Sequence, residues 1–355
     1  MTTIEKLQKA VANTGLDALM VTSPVNRQYV TGFHSSAGVV LIAPDKVWFF
    51  TDTRYFEAAT AAITGITVSL SNFDNPYTKL ISALCAEHNY RRLGFEESQM
   101  TVAEHKTFTE KLTDTEFVPA QQILIDARAV KSEAELEKMI AAQRISEKSF
   151  LEILPKISTN ITERELANEL FFAFLRNGAD DKSFDSIIVS GPHSSLPHGV
   201  PSDEKIVPGF LTIDFGVLKD GYCSDTTRTV CVGKATDEMK RVYNTVLEAQ
   251  LAGIAAARAG VRGCDIDNAA REVIAAQGYG DYFGHGFGHS LGMEVHEPPN
   301  ASPSFPGIIP AGAVISAEPG IYLPGRFGVR IEDVIYITED SCRNITSLPK
   351  ELLEI

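Results

Sequence analysis

Asp214, Asp225, His289, Glu318 and Glu332 constrain this chain more than any other feature of it. Asp214 lies in Thr212-Ile213-Asp214-Phe215-Gly216 and Asp225 in Ser224-Asp225-Thr226-Thr227-Arg228-Thr229. Glu318 lies in Ser316-Ala317-Glu318-Pro319-Gly320-Ile321-Tyr322 and Glu332 in Gly328-Val329-Arg330-Ile331-Glu332-Asp333. These stretches read as apolar strands. A lone Asp is disfavoured in a strand, and a carboxylate buried there is costly unless a metal or another cation compensates it. A hairpin turned at Lys219-Asp220-Gly221 brings the two Asp side chains together by cross-strand pairing. A set of oxygen donors with one imidazole suits a hard or borderline divalent ion such as Mn²⁺, and tolerates Co²⁺ or Zn²⁺. Four anionic ligands are too many for one ion and fit two ions that share carboxylates. The pattern predicts a metal-assisted hydrolase.

The segment Gly284-His285-Gly286-Phe287-Gly288-His289-Ser290-Leu291-Gly292-Met293-Glu294-Val295-His296-Glu297 adds two more histidines beside His289. It lacks the Lys-Ser/Thr of a phosphate loop. Its glycines are expected to let the backbone approach a bound ion or substrate closely.

A chain of 355 residues calls for two domains. Residues 1–125 alternate helix and strand signals, with strands expected at 19–22, 38–42, 47–50, 67–70 and 92–95 and helices at 4–14, 56–63 and 77–89, an α/β pattern. A boundary falls between 125 and 131. Beyond it, in 126–355, the capping boxes Ser132–Glu135 and Thr162–Glu165 start two helices. Strands follow at 184–190, 211–217 and 222–232, then helices at 237–259 and 265–277, then strands at 314–321 and 329–337. This repeat of helix, helix, strands predicts a pseudo-duplicated α+β domain. The formal charge of −14 argues against nucleic acid as a partner. Five cysteines with no CxxC pair read as reduced thiols. No signal peptide or membrane span is visible, so a cytoplasmic location without membrane contact is expected.

The ordered set Asp214, Asp225, His289, Glu318, Glu332 resembles the dinuclear signature of the M24-type metallopeptidases with the pita-bread fold. The histidine-rich segment is similar to the Xaa-Pro peptidase branch, with Phe287 where an aliphatic residue is more usual. Residues 1–125, including Asn26-Arg27-Gln28-Tyr29-Val30-Thr31-Gly32-Phe33, resemble the creatinase-type N-terminal domain. The resemblance implies two divalent metal ions, most readily Mn²⁺, with Asp225 and Glu332 bridging and Asp214, His289 and Glu318 completing the shells. It implies a hydroxide, activated by the two metals, that attacks a peptide carbonyl. It assigns Glu318 as the proton shuttle, His296 as a donor to the oxyanion, and His285 and His198 as substrate-holding residues. Arg330, two residues before Glu332, reads as a residue that orients a carboxylate or nearby acidic group, with a purely structural ion pair as the alternative. The implied substrate is a peptide with proline second, cleaved as by aminopeptidase P. Prolidase is the alternative, and a non-catalytic pita-bread binding module is the reading of another class. A homodimer is implied, with Asp52, Arg54 and Tyr55 as candidates to wall a neighbour's active-site entrance; a local loop-to-helix cap is the plainer role for these three.

Overall fold

A computed structural model describes residues 2–355. The chain forms two compact units, 1–128 and 129–355.

The first unit contains α1 (Thr3–Ala12), β1 (Ala18–Val21), α2 (Pro24–Thr31), β2 (Val39–Ile42), β3 (Val47–Thr51), α3 (Phe56–Ala62), β4 (Thr67–Leu70), α4 (Tyr77–His88), β5 (Arg92–Phe95), α5 (Val102–Lys111), β6 (Glu116–Pro119) and α6 (Gln122–Ala129). Its strands form one six-stranded sheet in the order β4-β3-β2-β1-β5-β6. Both pairings of β2 are antiparallel and the other three are parallel. The sequence reading missed α2, although Ser23 caps it, Pro24 opens it and Gly32 ends it at φ 67°, the residue types those positions favour. It also missed α5, which starts at a capping box of Thr101 and Glu104. The fully buried Glu96 accepts from Ser23 N at 2.9 Å, Ser23 Oγ at 2.7 Å and Asn26 Nδ2 at 2.6 Å, which anchors the turn into α2. Asp52 and Arg54 pair locally at 2.6 Å, and Tyr55 OH meets Ser36 Oγ at 2.8 Å.

The second unit starts with α7 (Glu133–Ile153) and α8 (Glu163–Arg176), each opened by the expected capping box. The first strands are β7 (Asp181–Lys182), β8 (Ile187–Ser190), β9 (Gly209–Phe215), β10 (Val217–Lys219), β11 (Tyr222–Cys223) and β12 (Thr226–Val232). Then come α9 (Asp237–Ala256), α10 (Gly263–Ala276), β13 (Gly288–Ser290), β14 (Glu297–Ala301), β15 (Val314–Ala317), β16 (Gly320–Leu323), β17 (Phe327–Arg330), β18 (Asp333–Ile337) and β19 (Cys342–Asn344). One apolar core gathers α7, α8, β8, β9 and β12, and another gathers α9, α10 and β15 to β18. Two helices packed on antiparallel strands thus occur twice, which is the pseudo-two-fold pita-bread arrangement.

Four long strands expected from the sequence are each broken. β9 and β10 lie in different sheets, as do β11 and β12, β15 and β16, and β17 and β18. The breaks fall at Gly216, Ser224–Asp225, Glu318–Pro319 and Ile331–Glu332. Apolar patterning continues through each break because both flanking strands are buried, so periodicity alone could not locate it. Pro319 was a readable signal, since proline has no N–H for a ladder.

Two close approaches set the backbone around the histidine-rich segment. A Cβ on Gly288 would lie 1.9 Å from Ser316 O. This glycine therefore admits a neighbouring strand. A Cβ on Gly253 of α9 would lie 2.3 Å from the ring of the fully buried Phe287, so the missing side chain makes room for the larger residue. Phe287 O in turn accepts from Glu318 N at 2.8 Å. Gly253→Ala is expected to destabilise the fold by about 1–3 kcal/mol through overpacking, measured by denaturant unfolding. An unchanged midpoint would mean that the ring moves aside without cost.

Residues 345–355 run back along the second unit. The buried Arg228 donates to Leu348 O at 2.8 Å and Pro349 O at 2.9 Å, and also to Thr227 O, Glu332 O and Asp333 Oδ1. Cys231 N donates to Leu353 O and Ile355 N to Cys231 O, both at 2.8 Å.

Candidate metal centre

Asp214 is on β9, paired in register with Thr227 of β12. Asp225, Glu318 and Glu332 sit at the strand breaks, where the ladder stops, and line the same cavity. Asp214, Asp225 and Glu332 each bring one carboxylate oxygen within 4.8 Å of the other two, and all three are buried. His289 Nε2 lies 3.2 Å from Glu318 Oε1 and 3.7 Å from Asp225 Oδ2. His289 Nδ1 donates to Ser290 O at 3.1 Å, which fixes the tautomer and aims Nε2 at the carboxylates.

The electrostatics are those of a site short of positive charge. Burial, then the charge of Asp214, raises the Asp225 carboxyl well above the ordinary range. Burial, then the charges of Asp225 and Glu318, does the same to Glu332. Burial also raises Asp214, against the opposing charge of Arg330. Burial pulls His289 down, but its hydrogen bond to Glu318 and the charges of Glu318 and Asp225 outweigh it and hold the imidazole at about 9. The same pairing, against burial, keeps Glu318 low.

Asp214 Oδ1 and Glu332 Oε1 are buried without a hydrogen-bond partner. The other oxygen of each is satisfied, Asp214 Oδ2 by Arg330 Nη2 at 2.6 Å and Glu332 Oε2 by Thr227 Oγ1 at 2.8 Å. Orphaned buried acceptors are rare. Pairs of anions with an open lone pair, grouped around one imidazole, fit hard divalent cations.

In the metal-free protein, folded-state values for Asp225 and Glu332 above those of the unfolded chain mean that the folded state binds protons the unfolded state has released. Stability then falls as pH rises from the carboxylate range. His289, also raised, acts in the same sense up to about 9, while the lowered Glu318 matters only at more acidic pH. The melting temperature of metal-free protein is expected to drop from about pH 5.5 to 8, and a divalent ion is expected to raise it more at the upper pH. Thermal shift with and without Mn²⁺ checks this; equal gains at both pH values would contradict it.

The nine candidate metal, catalytic and substrate-binding residues line one cavity of about 980 Å³ in the second unit: the five above with His198, His285, His296 and Arg330. Arg330 is buried and bonds Asp214, Thr227 Oγ1 at 3.0 Å, Pro197 O at 3.2 Å and Tyr322 OH at 2.7 Å. His285 Nδ1 donates to Gly286 O at 2.9 Å, and its Nε2 meets Tyr322 OH at 3.0 Å. With both nitrogens engaged, His285 offers the cavity ring carbons only. The His296 ring lies 4.2 Å from that of His289, and burial, then the charge of His289, holds it below the ordinary value, which favours the neutral imidazole. His198 projects from the loop after β8.

Three partners escaped sequence reasoning. Tyr322 joins Arg330 to His285. Thr227 donates to Glu332 and accepts from Arg330. Ser316 Oγ donates to Glu318 Oε1 at 2.9 Å and accepts from His289 N at 3.0 Å. Thr227 was visible in sequence as one of several hydroxyls beside Asp225; nothing marked the other two.

Buried acids converging from strand breaks of a duplicated α+β domain, with unsatisfied oxygens turned to one point, define a metal-dependent hydrolase. Residues 137–339 match metallopeptidase family M24, and residues 3–130 match the creatinase/prolidase N-terminal domain. The chain is 42% identical to an uncharacterized peptidase, YqhT, of Bacillus subtilis, over 99% of both chains. Its fold superposes on an Xaa-Pro dipeptidase from Bacillus anthracis with TM-score 0.95 at 38% identity, over 99% of both chains. It superposes on an X-Pro aminopeptidase from Thermotoga maritima with TM-score 0.92 at 34% identity, over 98% of this chain and 100% of the other. The chain belongs to metallopeptidase family M24. Among the described residues no helix is long and apolar enough to cross a membrane, and all five cysteines are free.

Proposed function

We propose that this protein is an Xaa-Pro peptidase that hydrolyses the bond between the first residue of a peptide and a following proline. The observation that carries this reading is the group of buried carboxylates with partnerless oxygens inside a cavity of peptide size. Asp214, Asp225, His289, Glu318 and Glu332 would hold two divalent ions, most readily Mn²⁺. Such ions, when bound, acidify water and polarise the scissile carbonyl.

The protein's own groups supply the rest. Glu318, held as a carboxylate and steadied by Ser316, takes the proton of the attacking water and returns it to the leaving amine. His296, without a ring hydrogen-bond partner among the described residues, donates to the developing oxyanion. His285 presents carbon to the proline ring, because Tyr322 and Gly286 O occupy its nitrogens. Arg330 fixes the Asp214 carboxylate through Oδ2 and leaves Oδ1 open. His198 contacts the peptide from its loop. A proline in second position suits such a site, since its ring fixes φ and it has no N–H for a strand-gripping protease.

The aminopeptidase form of the reading is supported by the cations of the cavity. Arg330 is committed to Asp214, Arg164 to Asp203 at 2.6 Å, and Lys182 to Asp185. None is left to grip the free carboxylate of a dipeptide. The dipeptidase form is supported by the name of the Bacillus anthracis relative. It is also supported by the exposure of the Arg164 and Lys182 pairs, which exchange partners at little cost. A homodimer in the cytoplasm completes the proposal. Protein supplied with Mn²⁺ is tested on Ala-Pro-Ala, Ala-Pro and Ala-Ala-Ala, with and without chelator. Chelator-sensitive release of alanine from Ala-Pro-Ala supports the aminopeptidase form. Cleavage of Ala-Pro alone moves the assignment to a dipeptidase, and cleavage of neither, with metal bound, ends the Xaa-Pro reading.

A further inference from the structure

Residues 191–201 connect β8 to the rest of the second unit, and 197–201 of them wall the cavity around His198. One carboxylate holds both ends of this loop. Glu163, the first residue of α8, is 2% exposed. Its Oε1 accepts from Ser190 N at 2.7 Å and Ser190 Oγ at 3.1 Å, where the loop begins. Its Oε2 accepts from Ser202 N at 3.0 Å and Ser202 Oγ at 2.7 Å, where the loop ends, and from His193 Nδ1 at 2.9 Å within it.

Glu163 is not needed to start its own helix. The capping box of α8 is complete in Thr162 and Glu165. Nor does it answer a buried lysine or arginine, since among the described residues its only basic partner is His193. Burial pushes the carboxyl up, but the hydrogen bonds from Ser202, Ser190 and His193 outweigh it and keep the group below its ordinary value. A buried anion with five donors, all from one loop and its flanks, is a clamp on that loop. The far side of the loop is held independently, by Arg330 on Pro197 O and by Gly328 N on Ser194 Oγ at 2.9 Å.

We infer that Glu163 is a positioning residue that sets substrate affinity by holding the 191–201 loop so that His198 meets the peptide. This rests on the reading of His198 as a substrate contact made above. Glu163→Gln keeps the shape but turns an NH₂ toward one set of donors, so one end of the loop is released.

The test uses full-length protein supplied with Mn²⁺ and whichever of Ala-Pro-Ala and Ala-Pro it cleaves. Glu163→Gln, His198→Ala and the double variant are compared. Glu163→Gln is expected to raise KM about tenfold with kcat within about threefold, and the double variant to bind no worse than His198→Ala, because groups acting through one contact are not additive. Amides of 191–201 should exchange faster in Glu163→Gln, with those of β9 and β12 unchanged. Fully additive KM effects, a fall in kcat alone, or unchanged exchange would overturn the inference. If His198→Ala leaves KM unaltered, the substrate role of His198 fails and the inference falls with it. If Glu163→Gln does not fold, Ser202→Ala, which removes one bond of the same clamp, should shift KM in the same direction by a smaller factor; no shift would also overturn it.

Discussion

Glu332→Gln is expected to lower kcat/KM by about 10³-fold or more while making the metal-free protein more stable. Both effects come from one carboxylate. Glu332 is 1% exposed, and one of its oxygens has no partner. Its nearest charges of the same sign are Asp225, Glu318 and Asp214. In the absence of a cation, the neutral amide removes the cost of burying an anion beside those neighbours or of taking up a proton to avoid it, and Thr227 Oγ1 can still donate to the amide oxygen. Each kcal/mol so recovered raises the melting temperature by roughly 2–4 °C for a unit of this size. With a cation supplied, the same substitution deletes a ligand. The variant should therefore gain little or nothing from Mn²⁺ in a thermal shift experiment in which the parent protein gains strongly. Stability held below its attainable value at a working site is a common compromise. A variant that melts lower than the parent without metal, or that retains the full Mn²⁺ gain, would remove Glu332 from the ligand set.

His296→Ala is expected to reduce kcat by about 10²–10³-fold, the usual loss when one oxyanion donor is removed, with KM changed by less than a few-fold. The ring lies over His289 at 4.2 Å and lines the cavity. Burial and the charge of His289 favour its neutral form, which donates a hydrogen bond without adding a charge that would repel cations beside it. Mn²⁺ binding, followed by thermal shift, should be preserved in this variant, in contrast to Glu332→Gln. A loss in KM with kcat intact would make His296 a ground-state contact instead.

What could be read from the sequence was what local chemistry marks. Asp214, Glu318 and Glu332 stood out because an acid within an apolar run is anomalous whatever the fold, and His285, His289 and His296 because they are crowded together. Tyr322 carried no such mark: a tyrosine in a strand-like stretch is ordinary until Arg330 and His285 are found on either side of its hydroxyl. Ser316 and Glu163 are similar cases, defined by partners distant in sequence. Glu163 was further hidden beside Thr162 and Glu165, whose capping role explained the acidity of that turn. The helix starts at Ser132 and Thr162 were legible because a capping box is a contact within four residues. The strand breaks were not, because a strand that leaves one buried sheet for another keeps its apolar character. The breaks at Asp225, Glu318 and Glu332 are nonetheless where the candidate ligands sit, so the fold departs from the periodic pattern where its chemistry is gathered.

The clasp of Arg228 on the last stretch of the second unit bears on the order in which the protein is made. Its acceptors Leu348 O and Pro349 O lie 120 and 121 residues further along the chain, and Asp333 lies 105 residues on. Of its acceptors only Thr227 O is near in sequence, so this buried guanidinium leaves the ribosome long before its other hydrogen-bond partners do. The clasp of Arg228, which lies on β12 three residues beyond Asp225, is therefore complete only after translation has passed residue 349. Contacts at such separation are slow to form. The first unit can fold while the second is still emerging, and a product stalled before residue 348 lacks two of the acceptors that hold β12 beside the candidate metal centre.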